Sequence, residues 1–267
     1  MKFSLLISVY QKENPKYFNE CLTSCLSKQT RLPDQTVIVV DGPITKELNS
    51  EIEKWIDNPK LLVQKVVLKK NMGLAAALNY GLKFCKHQYV CRMDTDDIAM
   101  PLRFEKQIEF LKSNKDIDVC GTNVVEFSEE SKNNFVKEMP VNHEEIKRLM
   151  RFRNPINHPT VCFKKKSVEE LNGYPEIYPE DYIPWVNLML ESKRFAKIPI
   201  PLVKMRVDNN FLSRRNLNFF SGEMKIFIYM YKKKFLPLRL FIFNACSRCI
   251  LRISPNSLKK FFYSKLR

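Results

Sequence analysis

The chain has 267 residues, 45% of them hydrophobic and 12% aromatic, which excludes a disordered polymer and allows one sizeable core. Its formal net charge of +16 is unevenly placed, with 15 Lys/Arg against 2 Asp/Glu in residues 204–267 and 30 against 27 in residues 1–203. A nearly balanced body with a basic tail argues against a nucleic-acid-binding body, and no run of about 18 apolar residues is present to form a spanning helix.

The first hundred residues alternate short apolar runs with amphipathic stretches, the pattern of βαβ units around a mainly parallel sheet. Phe3 to Val9 reads as the first strand, because its apolar run alternates as a strand does and is too short for a signal-peptide core. Tyr17 to Ser27 reads as a helix, with Phe18, Cys21, Leu22, Cys25 and Leu26 at helical spacing. The β-branched run Thr36 to Val40 fits a fully buried parallel strand, closed by the turn signal Asp41-Gly42-Pro43. A helix over Lys46–Ile56 and a strand over Leu61–Leu68 follow. The small residues of NMGLAAALNYG, from Asn71 to Gly81, predict a helix packed closely on the sheet and closed near Gly81.

Tyr89 to Met93 is the next strand, and it runs into Asp94-Thr95-Asp96-Asp97. In open parallel sheets ligands sit beyond the carboxyl ends of strands. A helix follows, with Pro101 near its start and Phe104, Ile108 and Leu111 on one face. From Val119 the pattern is less regular, with strands expected at Val119–Phe127 and His158–Phe163 and a helix near Glu144–Arg153.

Three carboxylates in four residues, Asp94, Asp96 and Asp97, repel one another unless solvent or a cation relieves them. A hard divalent cation shared with substrate phosphates would do so; a solvated acidic turn before a helix is the competing account. Glu180 and Asp181 stand among aromatic and proline residues that limit water and raise a carboxylate toward the range of a general base, or they mark a helix N-terminus. Asp41, ending a buried strand, suits either a nucleoside contact or the capping of its turn, and His158 either a site or a structural role. The eight cysteines lack a framework spacing, and Cys246 and Cys249 have no further ligands to complete a zinc site, so a reduced cytoplasmic chain is expected.

In this order the segments Ser8-Val9-Tyr10, VIVVDG ending at Gly42, NMGLAAALNYG, RMDTDDIAMPLRFEKQ from Arg92 to Gln107, Asn154 to Thr160, and Pro179-Glu180-Asp181-Tyr182 resemble glycosyltransferase family 2. The likeness is closest to the small bacterial enzymes of surface-polysaccharide synthesis. It implies a GT-A fold: an α/β domain over 1–203 with a Rossmann-like, mostly parallel sheet flanked by helices. Residues 1 to about 100 would be its nucleotide-sugar half and about 101–203 its acceptor half.

The resemblance further implies that Asp41 recognises the uracil of a UDP-sugar, with Val9 and Tyr10 lining the same pocket. Asp94 and Asp96 match the D-x-D pair holding Mn²⁺ or Mg²⁺ on the diphosphate, and Arg92 is a donor-site candidate. Asp181 matches the catalytic base of an inverting transfer, supported by Glu180, and His158 and Trp185 are expected at the acceptor or diphosphate. Asp41-Gly42-Pro43 departs from the longer D-D-G-S run of the family, which leaves one carboxylate fewer near the nucleoside. The implied acceptor is a lipid-linked saccharide of an O-antigen or capsule repeat, and the implied donor UDP-glucose or UDP-galactose.

Residues 204–267 mix aromatics and aliphatics with Lys and Arg, which predicts a basic amphipathic helical region. It would lie on the anionic cytoplasmic face of the inner membrane or pack on the catalytic domain. Two other classes were weighed. A nucleic-acid-binding protein using the tail leaves Asp94, Asp96, Asp97, Glu180 and Asp181 without a purpose. A sugar nucleotidyltransferase calls for a Gly-rich phosphate loop with a basic residue, which Ser8-Val9-Tyr10-Gln11 does not supply.

Overall fold

The structure, a computed structural model, describes residues 1–129, 134–207 and 217–254. Strand β1 (Phe3–Val9), apolar at nearly every position, pairs in parallel with β2 (Gln35–Asp41) on one side and β4 (Tyr89–Met93) on the other. β3 (Val63–Leu68) adds in parallel outside β2. The connections are α1 (Pro15–Leu26), α2 (Lys46–Ile56) and α3 (Leu74–Leu82). Asn14 and Thr45 cap the first two, accepting the amides of Lys16 at 2.9 Å and Leu48 at 3.2 Å. Pro15, pre-set for a first turn, starts α1 two residues before the expected Tyr17.

Beyond β4 come β5 (Ile98–Ala99), α4 (Arg103–Ser113), β6 (Ile117–Phe127), β7 (Phe135–Lys137), α5 (His143–Met150), β8 (Cys162–Lys164), α6 (Lys165–Glu169), α7 (Ile183–Leu190) and β9 (Arg194–Arg206). The sheet order is β3-β2-β1-β4-β8-β6-β9-β5, with β7 on β6. β8 is antiparallel to both β4 and β6, while β9 runs parallel to β6, so the all-parallel pattern is confined to the first four strands of that order. The strand expected over His158–Phe163 is instead a 3₁₀ turn at His158–Thr160 and then β8. Pro159 has no amide hydrogen for a ladder, and Thr160 turns back to the Asn157 carbonyl at 2.9 Å.

Alternating side chains divide the core in two. Ile7, Ile38 and Met93 face α1, α2 and α4; Leu6, Val37, Val39 and Val90 face α3, α5 and α7. Helix α3 ends one residue past Gly81, close to where it was expected to close, and a Cβ on Gly81 would press on Leu6 and Val39 at 2.5 Å. The glycine's role is close helix–sheet approach.

The C-terminal region contributes α8 (Leu217–Lys232) and α9 (Leu238–Ile253). Ile226, Phe227 and Met230 of α8 belong to the same core as α3 and α7, so α8 packs on the catalytic body. The boundary expected at 203–204 falls inside β9. Residues 208–216 and the FFYSKLR end of the expected basic region lie outside the described residues. No helix among the described residues is long and apolar enough to cross a membrane.

Candidate active site

Three neighbouring strands deliver the first half of the site. β1 pairs Val9 with Val40 of β2 and Ile7 with Met93 of β4, so Tyr10, Asp41 and Asp94 leave the sheet side by side at its carboxyl edge. Asp41 is buried, and its two carboxylate oxygens accept the amides of Met72 at 2.7 Å and Gly73 at 3.0 Å, tying β2 to the N-terminus of α3. Gly42 and Gly73, both at positive φ, permit this approach; a Cβ on Gly42 would meet the Asn71 backbone. Val9 is fully buried, and the Tyr10 carbonyl accepts the Glu13 amide at 3.1 Å.

The acidic turn is held from outside by Arg206, the last residue of β9. Its amide donates to Asp97 Oδ1 at 2.8 Å and its Nε to the Asp96 carbonyl at 3.0 Å. Nη2 and Nη1 pair with Glu20 at 2.6 Å and Glu129 at 2.9 Å, and the guanidinium lies over Tyr17 at 3.8 Å and Phe127 at 4.6 Å. Burial pushes the Asp97 carboxyl well above the usual carboxylate range, and the charges of Asp94 and Asp96 push it further. Glu13, in the loop after β1, is pushed up to about 7 by burial and by the same two aspartates, against a hydrogen bond from Thr95.

Arg92 connects this turn to the second half. It is buried and ion-paired through Nη2 with Asp94 Oδ1, while Nε and Nη1 have no hydrogen-bond partner. Its positive field reaches Glu180, Asp181, Tyr174 and His158, opposing the upward shift of both carboxyls. Asp181, ahead of α7, accepts Asn154 Nδ2 on Oδ2 at 2.9 Å. Burial pushes its carboxyl up to about 7, with Arg92 opposing and Glu180 and Asp94 reinforcing. Burial also raises Glu180.

Among the described residues no three His, Cys, Asp or Glu side chains form a ready-made metal cage. A hard cation bound partly by substrate phosphates needs only one or two carboxylates. The donor set at the turn fits such an ion: Asp94 and Asp96 are partly exposed, and their charges add to burial in raising the carboxyls of Glu13 and Asp97, a repulsion that a cation would relieve.

The family model for glycosyl transferase family 2 matches residues 4–171, well over half of the chain. The chain belongs to glycosyl transferase family 2. This family 2 enzyme is 36% identical over 270 residues to the amylovoran biosynthesis glycosyltransferase AmsE of Erwinia amylovora, with 99% of each chain covered. It is 34% identical over 268 residues to the UDP-Gal:alpha-D-GlcNAc-diphosphoundecaprenol beta-1,3-galactosyltransferase of Escherichia coli, covering 99% of this chain and 96% of that one.

Among solved structures, S. aureus TarS 1-349 in complex with UDP-GlcNAc superposes with a TM-score of 0.67 at 20% identity, over 85% of this chain and 66% of that one. The mannosyltransferase PcManGT of Pyrobaculum calidifontis, in complex with GDP-Man and Mn²⁺, gives 0.66 at 14% identity, over 99% and 79%. The fold of the family 2 enzyme is GT-A, with a mixed sheet flanked by helices.

The family 2 enzyme brings Val9, Tyr10, Asp41, Arg92, Asp94 and Asp96 to one edge of the sheet and links Asp181 and Glu180 to them through Arg92. Trp185, expected at the acceptor, is instead fully enclosed, with ring centroids of His158, Phe163, Tyr174 and Phe195 at 6.0 to 6.4 Å. Helix α7 turns this indole into the core. His158 is buried 3.3 Å from the Tyr174 hydroxyl, and burial followed by Arg92 pushes its pKa well down, which favours the neutral imidazole.

Sequence reasoning missed Glu13, Asn154 and Arg206. Glu13 lies just past a strand carboxyl end, where it was findable. Arg206 was hidden by its assignment to the basic tail.

Proposed function

We propose that this enzyme transfers a hexose, glucose or galactose, from a UDP-sugar to a lipid-diphosphate-linked saccharide of a bacterial O-antigen or capsule repeat, with inversion. The observation that carries the reading is Asp181: a buried carboxyl raised to about 7, bonded by Asn154 and within the electrostatic reach of both Arg92 and Asp94. The name of the E. coli relative supports the donor and acceptor classes.

Asp181 takes the proton of an acceptor hydroxyl. The oxygen then attacks the anomeric carbon from the face opposite UDP, and UDP leaves with the electron pair of the broken C–O bond. Asp41, Val9 and Tyr10 wall the nucleoside pocket, where each Asp41 oxygen keeps a lone pair beyond its backbone bond. A donor oxygen entering beside Asp94 would satisfy the two unpartnered nitrogens of Arg92. A Mn²⁺ or Mg²⁺ held by Asp94 and Asp96 would offset the charge on the departing diphosphate. The work would be done at the cytoplasmic face of the inner membrane, with the C-terminal region in contact with anionic lipid.

The test is a screen of UDP-, GDP- and dTDP-sugars with a synthetic lipid-diphosphate sugar, with and without chelator. Turnover is expected with a UDP-hexose and lost with chelator; turnover only with another nucleotide overturns the donor assignment. Asp96→Ala is expected to abolish the divalent-dependent part of UDP binding in calorimetry, whereas equal affinity with and without metal in both proteins removes Asp96 from the metal site.

The pH profile tests Asp181. The base works only when ionised, so kcat/KM is expected to rise about tenfold per pH unit on the acid side and to level off above its pKa of about 7. A rate flat from about pH 5 to about pH 8 would assign proton removal to another group.

A further inference from the structure

Helix α9 carries apolar residues on its outward side as well as on the side that packs on the protein. Leu238, Ile242, Phe243, Cys246, Cys249 and Ile250 fall on one side at 3.6 residues per turn, and that side faces outward. Leu238, Ile242, Phe243 and Ile250 are 51% to 64% exposed, and both cysteines are exposed.

The opposite side faces the protein and is already engaged. Leu240 and Phe241 pack against the core, the Phe241 ring stacked on Tyr231 at 5.3 Å. Arg248 pairs with Glu223 of α8 at 3.0 Å and donates to the Phe152 carbonyl at 2.9 Å; Arg252 reaches Glu223 at 3.7 Å. Buried Asn244 donates to the Arg151 carbonyl at 2.7 Å. A helix already held on its inner side leaves a contiguous second apolar strip in water, which calls for an apolar medium.

The flanking charge says which one. Lys232, which ends α8, and Lys233 and Lys234 in the turn that follows stand exposed before α9, and Arg239 is the sole charge on the outward side. Apolar residues with a cationic border complement an anionic lipid surface, whose acyl boundary takes the strip while its phosphates take the lysines. At 16 residues α9 is too short to span a bilayer, so it lies in the plane.

We infer that α9 is an in-plane anchor whose Leu238–Ile242–Phe243–Ile250 side inserts into an anionic bilayer, with Lys232–Lys234 on the headgroups. This deepens the membrane location proposed above and rests on that reading for its purpose.

The test is flotation of the full chain with vesicles of phosphatidylglycerol and phosphatidylethanolamine, against phosphatidylcholine vesicles. Wild type is expected to float with the anionic vesicles only. Ile242→Ser/Phe243→Ser/Ile250→Ser is expected to lower that binding at least about tenfold, and Lys232→Glu/Lys233→Glu/Lys234→Glu to abolish it, with melting temperatures and UDP binding unchanged. Wild type that ignores anionic vesicles, or a triple serine variant that binds them as well as wild type, overturns the inference. So does a wild-type dimer that the serine variant converts to monomer without loss of vesicle binding, since the strip would then cover a second copy. UDP binding and transfer to a water-soluble acceptor are read in parallel: their loss with flotation intact counts against the transferase reading, and the converse against the anchor.

Discussion

Asp181→Asn is expected to lower transfer by about 10³-fold while leaving UDP-sugar affinity within about twofold, the size of effect that removal of a positioned base commonly has. The amide keeps the shape and an oxygen to accept from Asn154, now at 2.9 Å from Oδ2, and loses only the ability to take a proton. Single-turnover kinetics beside calorimetry separate the two quantities. A variant with wild-type transfer overturns the base assignment.

The same variant should be more stable than wild type above neutrality. The folded pKa of Asp181, about 7, exceeds the ordinary 3.8, so the folded state holds its proton the more tightly. Stability from that difference is complete below the ordinary value and is lost as pH rises through about 7. Asparagine carries no such penalty. At pH about 8 its melting temperature is expected to exceed wild type by roughly 8–16 °C, the shift that about 4 kcal/mol, from about three pKa units, gives in a domain of this size. At pH about 3, where the carboxyl is protonated in folded and unfolded wild type alike, the difference should nearly vanish.

The second large effect is expected from Arg206→Ala. Its side chain is 8% exposed and joins the acidic turn, α1 and β6, with Tyr17 and Phe127 on its guanidinium. Glu20 and Glu129 are partly exposed, so the loss comes mainly from the buried guanidinium's packing on two rings and its bond to the Asp96 carbonyl; such a truncation costs about 2 kcal/mol, or roughly 4–8 °C here. Lysine is not expected to rescue it, because an ammonium cannot form the fork to Glu20, Glu129 and the Asp96 carbonyl while stacking on two rings. Thermal unfolding of both variants, with UDP affinity in the presence of Mn²⁺, measures the effect. A melting temperature within about 2 °C of wild type would mean that the network is solvated and contributes little.

These residues also mark what was legible beforehand. The first half of the molecule could be read closely because β1, β2 and β4 are buried on both faces and each connection begins with a cap or turn residue: Lys46–Ile56 and Tyr89–Met93 lie where they were expected. The second half mixes strand directions, and Pro159 breaks a run whose β-branched and apolar residues otherwise suggest a strand.

Asp94, Asp96 and Asp181 stood out because carboxylates crowd or lie among apolar residues. Arg206 did not, since a cation near a cationic tail has no local signature and its partners, Glu20 and Glu129, are far away in sequence. Trp185 had the composition of a site aromatic, but the side of α7 it occupies is decided by packing. For α9 the helical pattern was readable while its orientation was not. That depended on Glu223 of α8 receiving both Arg248 and Arg252.

The segment from Arg151 to Asn154 carries a consequence of its own. Its first two carbonyls receive Asn244 and Arg248 of α9, and its last side chain orients Asp181. The proposed base and the proposed anchor therefore hang from one short strap. On those two proposals the height of the base above the lipid headgroups would be a fixed dimension of the fold, and with it how many sugars out from the diphosphate a hydroxyl must stand to be glycosylated.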